Sequence, residues 1–374
     1  MKAQILEINQ QNLEEASALL KQGELVGVPT ETVYGLAGNA WDEKALFKIF
    51  QAKERPAFDP LIVHFYWKAT SGSILEKLEQ MGLAKTKTFA APVRNRLESL
   101  LSAFWPGPLT VVLPKHPQIP ALATSGLETV ALRMPSHPVF QKLLDLTGFP
   151  LAAPSANRFG RVSPTRAEHV YSELGDRIPV ILDGGSCQFG IESSVIRVDP
   201  QGEWELLRPG ATPLSNLVSY LGKPCRQTQN EKMDDDSLLI KPQVSPGLLA
   251  RHYAPSKPLY LLPDLISHLT PSQKGHLKNW VSNQGGNSGF GLLVMQEVQD
   301  KTLIELEKTT GAPLLKKEIL SSGGGLEEAA GKLFTALRTL EESQAHVLIS
   351  EPCLSREGLG PAIADRLQRA SHVL

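Results

Sequence analysis

Nowhere in this 374-residue chain do about 18 apolar residues run uninterrupted, so the sequence offers no transmembrane helix. Its start, MKAQILEINQQNLEEA, lacks an apolar stretch followed by a small-residue cleavage site, so a cytoplasmic location with no membrane partner is expected. Cysteine is scarce. Cys187, Cys225 and Cys353 are odd in number and far apart, which argues against a disulfide framework and against a four-ligand zinc site. The nine histidines form no HxH or HxxxH pair, and no structural metal is expected. An excess of either charge is also missing: 38 Lys and Arg face 39 Asp and Glu, a net charge of -1. That balance gives no global reason to bind nucleic acid or an anionic membrane, so any RNA contact is local and at most weak. Neither GxxxxGK[ST] nor GxGxxG stands where a strand meets a helix, and no local motif suggests a Ser-His-Asp or Cys-His arrangement. A nucleotide bound here is bound without a P-loop.

What is present is ordinary globular composition, 41% hydrophobic and 21% charged, at a length that suggests two domains. Leu13, Ala16, Leu19 and Leu20 predict a helix over 11–22 with Gly23 as its stop, and Ala45, Leu46, Ile49 and Phe50 predict another over 42–52 with Asp42 as N-cap. ELVGVPT, LIVHF, LTVVLP, TVALRMP, PLAAPSA, PVILDGG, SSVIRV and EWELLRPG read as strands, most ending in Pro, Gly, Ser or Asn. Alternating strands and helices imply an α/β layer structure, the first domain covering 1–222. The stretch 223–258 mixes amides, an acidic run and prolines without periodicity, the composition of a linker. PLYLL, GFGLLVM and AHVLIS then read as strands of a smaller α/β domain over 259–374, with a helix between the last two marked by Leu326, Ala330, Leu333, Phe334, Leu337 and Leu340.

Five clusters could carry chemistry. In PTETVYGL, Thr30, Thr32 and Tyr34 beside Glu31 either hold a small polar substrate or satisfy their own turn. In QAKERPAFDPLIVH, Lys53 and Arg55 are two apart, which on an extended segment puts both on one face, ready for one anion such as phosphate; a solvated basic tip partly neutralised by Glu54 is the alternative. His64 ends the following strand, either as a core histidine or as a group beside that basic loop. Arg133, in TVALRMPSHP, shares a strand face with Thr129 and needs a partner, either a protein carboxylate or an anionic substrate. PSAN and RVSPT offer Ser155, Asn157 and Ser163 for phosphate or ribose hydrogen bonds, or for turns and an N-cap at Ser163. GIESSVIRV and LLRPG add Ser193, Ser194 and Arg208.

Taken in order, PTETVYGL, AKERPAFDPLIVH, FWPGPLTVVL, TVALRMPSHP, PSAN, SPT, ESSV and LRPGA closely resemble the successive motifs of the YrdC-like threonylcarbamoyl-AMP synthase family. SPGLLARHYAP and the closing GLGPAIADRLQRAS resemble its long, two-domain form. The resemblance implies a twisted mixed-sheet YrdC-like domain and a smaller Rossmann-like α/β domain. It implies synthesis of L-threonylcarbamoyl-AMP and pyrophosphate from L-threonine, bicarbonate and ATP with Mg2+, for a downstream threonylcarbamoyl transferase complex acting on tRNA.

By motif, Thr32, His64, Arg133, Ala153 through its backbone, and Ser193 would surround threonine. Lys53 and Arg55 would act in catalysis, and Arg55, Asp59, Thr129, Ser155, Asn157, Ser163, Arg208 and Tyr253 would face ATP. Within the linker, HYAP is expected to fold over the cleft. The chain departs from the family at Asp59, where Asn is usual, at Ser194, where Thr is usual, and in a long segment over 71–102 that reads as a surface helix pair or a partner contact. A non-catalytic RNA-binding module and carbamoyl transfer to another acceptor are the rival readings; the charge balance speaks against the first and the absence of paired CxxC against the second.

Overall fold

The computed structural model describes residues 2–68, 72–227, 252–285 and 288–371. It divides into two compact units, Met1–Phe159 with Ser163–Ala250, and Gly160–Val162 with Arg251–Leu374. Most of the expected linker, residues 228–251, lies outside the described residues.

The first unit carries one mixed sheet: β1 (Gln4–Glu7), β2 (Val26–Val28), β3 (Gly35–Asn39), β4 (Ile62–His64), β5 (Leu109–Pro114), β6 (Thr129–Arg133), β7 (Leu151–Ala152), β8 (Val180–Asp183), β9 (Ser194–Val198), β10 (Trp204–Arg208) and β11 (Arg226–Gln227). Their spatial order is β1-β8-β2-β3-β7-β4-β6-β5-β9-β10-β11. The helix over Gln10–Lys21 starts where the Asn9 side chain accepts the Asn12 N–H at 2.9 Å, and it buries Leu13, Ala16 and Leu20. Asp42 caps the helix Glu43–Lys53 as its sequence implies, accepting the Lys44 N–H at 2.9 Å. The long segment read as a surface helix pair or a partner contact forms the helices Ile74–Gln80 and Ala91–Phe104, which keep one face exposed and bury Leu75, Leu78, Val93, Leu97, Leu100 and Leu101 in the main core. Apolar residues at helical spacing decide this, since each such burial contributes about 1.5–3 kcal/mol.

Strand alternation sends Val63, Leu132, Val111 and Ile196 into that main core, while Ile62, Ala131, Val112, Val195 and Leu207 form a separate, smaller apolar cluster on the other face. This second face runs across β4, β6, β5, β9 and β10. By the same alternation, His64, Thr129, Arg133, Thr110 and Ser193 share it with the apolar floor.

In the second unit β12 (Leu259–Leu261), β13 (Phe290–Val294), β14 (Leu314–Ile319) and β15 (Val347–Ser350) form an all-parallel sheet in the order β12-β15-β13-β14. The expected helix spans Leu326–Glu342. The sequence reading missed β14, whose LLKKEI carries Lys316, Lys317 and Glu318 in place of an apolar run. It is an edge strand, where charged residues find solvent.

Candidate active site

Parallel pairing of β4 with β6 sets His64 directly opposite Arg133. The Arg133 guanidinium is buried, as its strand position predicted, and it has a protein partner: Nη2 donates to Glu31 Oε1 at 2.7 Å and Nε to the Gly107 carbonyl at 3.3 Å. Burial pushes the Glu31 carboxyl up, but the Arg133 charge and its hydrogen bond outweigh this and hold it below the usual range. His64 is buried against Phe140, ring centroids 5.2 Å apart. Desolvation first, then the Arg133 charge, hold the pKa of its imidazole well below the ordinary range, against hydrogen bonding to the Ile62 and Leu151 backbone. The Cys187 thiol, pushed up to about 12 mainly by burial, senses the charges of Glu31 and Arg133.

The turn that presents Glu31 is organised by its own hydroxyls. Thr30 Oγ1 accepts the N–H groups of Thr32 and Val33 at 3.0 and 3.2 Å and donates to the Val33 carbonyl at 2.7 Å. Thr32 Oγ1 lies 2.9 Å from Thr30 Oγ1. For Thr30 the local reading of the motif therefore holds. Tyr34 is fully buried; its hydroxyl donates to the Gly185 carbonyl and accepts the Gly184 N–H.

On the same face, Ser193 Oγ and Thr110 Oγ1 are 2.7 Å apart, and Arg208 Nη2 donates to the Ser193 carbonyl at 2.9 Å and to its hydroxyl at 3.2 Å. Gly210 makes this packing possible: a Cβ there would lie 2.4 Å from backbone atoms of Ser193 and Ser194. Ser163 does not cap the next helix, which begins at Ala167 with Arg166 before it; its hydroxyl donates instead to Glu192 Oε1 at 2.5 Å. Ser163 stands three residues before the N-cap position, Arg166, so its oxygen is not placed to accept the first N–H groups of the helix.

Lys53 and Arg55 do not sit on an extended segment. Lys53 closes the helix Glu43–Lys53, and Glu54 turns left-handed at φ 54°, so the two side chains converge because the helix ends between them. Lys53 is buried and its Nζ donates to the carbonyls of Ser155 and Asn157, both at 2.5 Å. Desolvation, then the neighbouring Arg55 charge, holds its pKa well below the usual lysine value. Arg55 donates from Nε to the Asp59 carbonyl at 3.1 Å and from Nη2 to the Pro60 carbonyl at 2.7 Å, and pairs with the Asp59 carboxylate at 2.9 Å. Asp59 is fully buried; burial raises its pKa, against the charges of Arg55, Lys53 and Arg208.

The strand register separates two groups of residues. His64 and Arg133 stand at one end of β4 and β6, while Ile62 at the other end follows Asp59, Pro60 and Leu61, and its carbonyl accepts the Ala153 N–H at 3.1 Å. Thr129 lies four residues from Arg133, roughly 13 Å along the strand, toward that second end. Tyr253 belongs to the second unit, where its ring stacks on Phe334 at 5.6 Å with the Arg366 guanidinium 5.3 Å from its centroid. Sequence reasoning missed Thr110, Glu192 and Cys187, and it did not pair Glu31 with Arg133. A buried arginine implies a carboxylate, but no local pattern names one 102 positions away.

The Sua5/YciO/YrdC family, described as telomere recombination, matches residues 18–210, and the threonylcarbamoyl-AMP synthase C-terminal domain matches residues 216–372. The threonylcarbamoyl-AMP synthase of Pyrococcus abyssi is 36% identical over 370 residues, 95% of this chain and 93% of that protein. That of Bacillus subtilis is 35% identical over 375 residues, 98% and 94% of the two. The crystal structure of P. abyssi Sua5 complexed with L-threonine superposes with a TM-score of 0.80 at 34% identity, covering 99% of this chain and 98% of that one. The order of motifs, the mixed sheet with its second polar face and the appended parallel-sheet unit place this chain in the threonylcarbamoyl-AMP synthase family, in its two-domain form.

Proposed function

We propose that the chain converts L-threonine, bicarbonate and ATP into L-threonylcarbamoyl-AMP and pyrophosphate, the first step toward N6-threonylcarbamoyladenosine in tRNAs reading codons that begin with A. One observation carries the reading: β4 and β6 set a buried arginine opposite a buried imidazole at one end, and the loop with the buried Lys53, Arg55 and Asp59 leads into the other end of β4. Arg133 suits a threonine carboxylate, with Thr32, His64, Ser193 and the Ala153 backbone around it. Lys53, Arg55, Arg208, Thr129, Ser155, Asn157 and Ser163 suit the nucleotide. Threonine's amine and bicarbonate give a carbamate and water; the carbamate oxygen then bonds to the α-phosphorus as its bond to the bridging oxygen breaks, and pyrophosphate leaves with that electron pair. Positioning and fixed charge do this work, without a protein nucleophile.

Among the described residues no group of three or more His, Cys, Asp or Glu side chains is placed to hold a metal ion, and Mg2+ is proposed to enter on the ATP phosphates. No described helix is long and apolar enough to cross a membrane. We place the enzyme in the cytoplasm, handing its product to a transferase complex. Incubation with ATP, Mg2+, bicarbonate and threonine, omitting one at a time, tests the activity: pyrophosphate release requires all three substrates, and release that persists without threonine refutes it.

Asp59 supplies a sharper test, because its carboxylate sits among the cations meant for phosphate. Asp59→Asn, which restores the family's usual amide, is expected to lower the KM for ATP about tenfold, equivalent to about 1.4 kcal/mol of relieved repulsion. A KM raised by a similar factor would instead assign the carboxylate to Mg2+.

A further inference from the structure

Three residues in the middle of a first-unit loop belong to the second unit. Gly160–Val162 groups with Arg251–Leu374, while Phe159 before it and Ser163 after it group with the first unit. Both flanks are tied down within that first unit: the Phe159 N–H donates to the Lys53 carbonyl at 2.8 Å, and Ser163 Oγ donates to Glu192. The three residues thus lie in the chain between Asn157 and Ser163, two groups assigned above to the nucleotide, and they are held by a different set of side chains.

Those side chains come from one face of the helix Leu326–Glu342. Phe334, Arg338 and Glu341 stand four and three residues apart, the spacing that puts side chains together on a helix surface. Phe334 stacks on Tyr253. Arg338, 5% exposed, donates from Nη2 to the Val162 carbonyl. One Glu341 oxygen accepts both from Arg161 Nη2 and from the Ser256 N–H, each at 2.6 Å. The two chain segments also meet each other: Gly160 turns at φ 77°, its carbonyl accepts the Ala254 N–H at 2.8 Å, and Arg161 forms a parallel bridge with Ala254. A buried arginine is costly to desolvate, and this one directs a donor at the backbone of a three-residue segment. Truncating it deprives the carbonyl of the fully buried Val162 of that donor, so the segment shifts to find another and carries Ser163, one peptide further on, with it.

We propose that Arg338 and Glu341 are positioning residues for the nucleotide, acting through Gly160–Val162 to fix the placement of Asn157 and Ser163. The inference rests on the assignment of those two residues to ATP made above, and it gives the second unit a part in nucleotide binding. Titration calorimetry of the full chain, with ATP and Mg2+ in one series and L-threonine in another, reads each ligand without requiring turnover. Arg338→Met is expected to weaken ATP about tenfold while threonine affinity stays within about twofold, because misplacement is confined to the nucleotide loop. Glu341→Ala is expected to weaken ATP about fivefold, whereas Glu341→Gln, which keeps the accepting oxygen, stays within about twofold. The Glu341 pair decides the matter should Arg338→Met fail to fold. Val347→Ala, which opens a cavity in the core of the same unit, is expected to lower the denaturation temperature and leave ATP affinity unchanged. Unchanged ATP affinity in both Arg338→Met and Glu341→Ala overturns the inference alone. An equal loss in Val347→Ala, or ATP and threonine affinities falling together, reduces the two residues to structural support. Failure of the unsubstituted chain to bind ATP overturns the inference together with the nucleotide assignment. ATP affinity lost in the variants of a chain that releases pyrophosphate without threonine sustains the inference and refutes the reaction.

Discussion

Arg133→Ala is expected to lower threonine-dependent pyrophosphate release about 100- to 1,000-fold, chiefly through the KM for threonine, because truncating one partner of a buried charge pair costs about 2–5 kcal/mol. The same substitution strands Glu31, buried 2.7 Å from the missing guanidinium, and is expected to cost about 3–5 kcal/mol of stability. Two effects therefore have to be separated. Glu31→Gln combined with Arg133→Met removes both charges while keeping most of the volume, and should recover much of the stability without recovering threonine affinity. Nη2 of Arg133 bonds Glu31 and Nε bonds the Gly107 carbonyl, so Nη1 is the group to meet a carboxylate. Thermal denaturation alongside steady-state kinetics on the single and double variants decides the point. Recovery of threonine turnover in the double variant would reduce Arg133 to a structural ion-pair partner.

Lys53→Met is expected to produce the second large effect, a loss of about 100-fold in turnover at fixed ATP. The lysine holds the loop Pro154–Asn157 by two carbonyls, and leaving each buried acceptor unmade costs about 1–3 kcal/mol. It acts as a positioning residue in the structure, since its donors go to backbone oxygens. Misplacing Ser155 and Asn157 should raise the KM for ATP while leaving the KM for threonine within about twofold, because Arg133 stands at the other end of the face. Lys53→Arg, bulkier at a site with 1% exposure, should not rescue. Equal rises in both Michaelis constants would point to general unfolding, and an unchanged KM for ATP would remove Lys53 from the nucleotide end.

How legible the site was depended on the reach of each signal. Asp42, with apolar residues at helical spacing behind it, announces its helix and cap because those interactions lie within four residues. The convergence of Lys53 and Arg55 was anticipated for the wrong reason. A period-two argument assumes extended backbone, whereas Glu54 in the left-handed region ends a helix and achieves the same meeting. Ser163 looked like a cap by its position before Pro164, yet the helix starts only at Ala167, and the Ser163 hydroxyl donates to Glu192, 29 residues on. The charged strand β14 was invisible because an edge position relaxes the apolar pattern on which strand recognition depends.

By itself the sequence determined the α/β class, the division into a large and a small unit, and the residues offered as candidates for the site. Those follow from local periodicity, turn chemistry and the order of motifs. Only the tertiary structure decided which groups meet: Glu31 with Arg133, Lys53 with the Ser155 and Asn157 carbonyls, Ser193 with Thr110 and Arg208. Each of those pairs joins elements distant in the chain. Their partners are chosen by strand register and by the need of buried charge for compensation, and neither is written in any short stretch of residues.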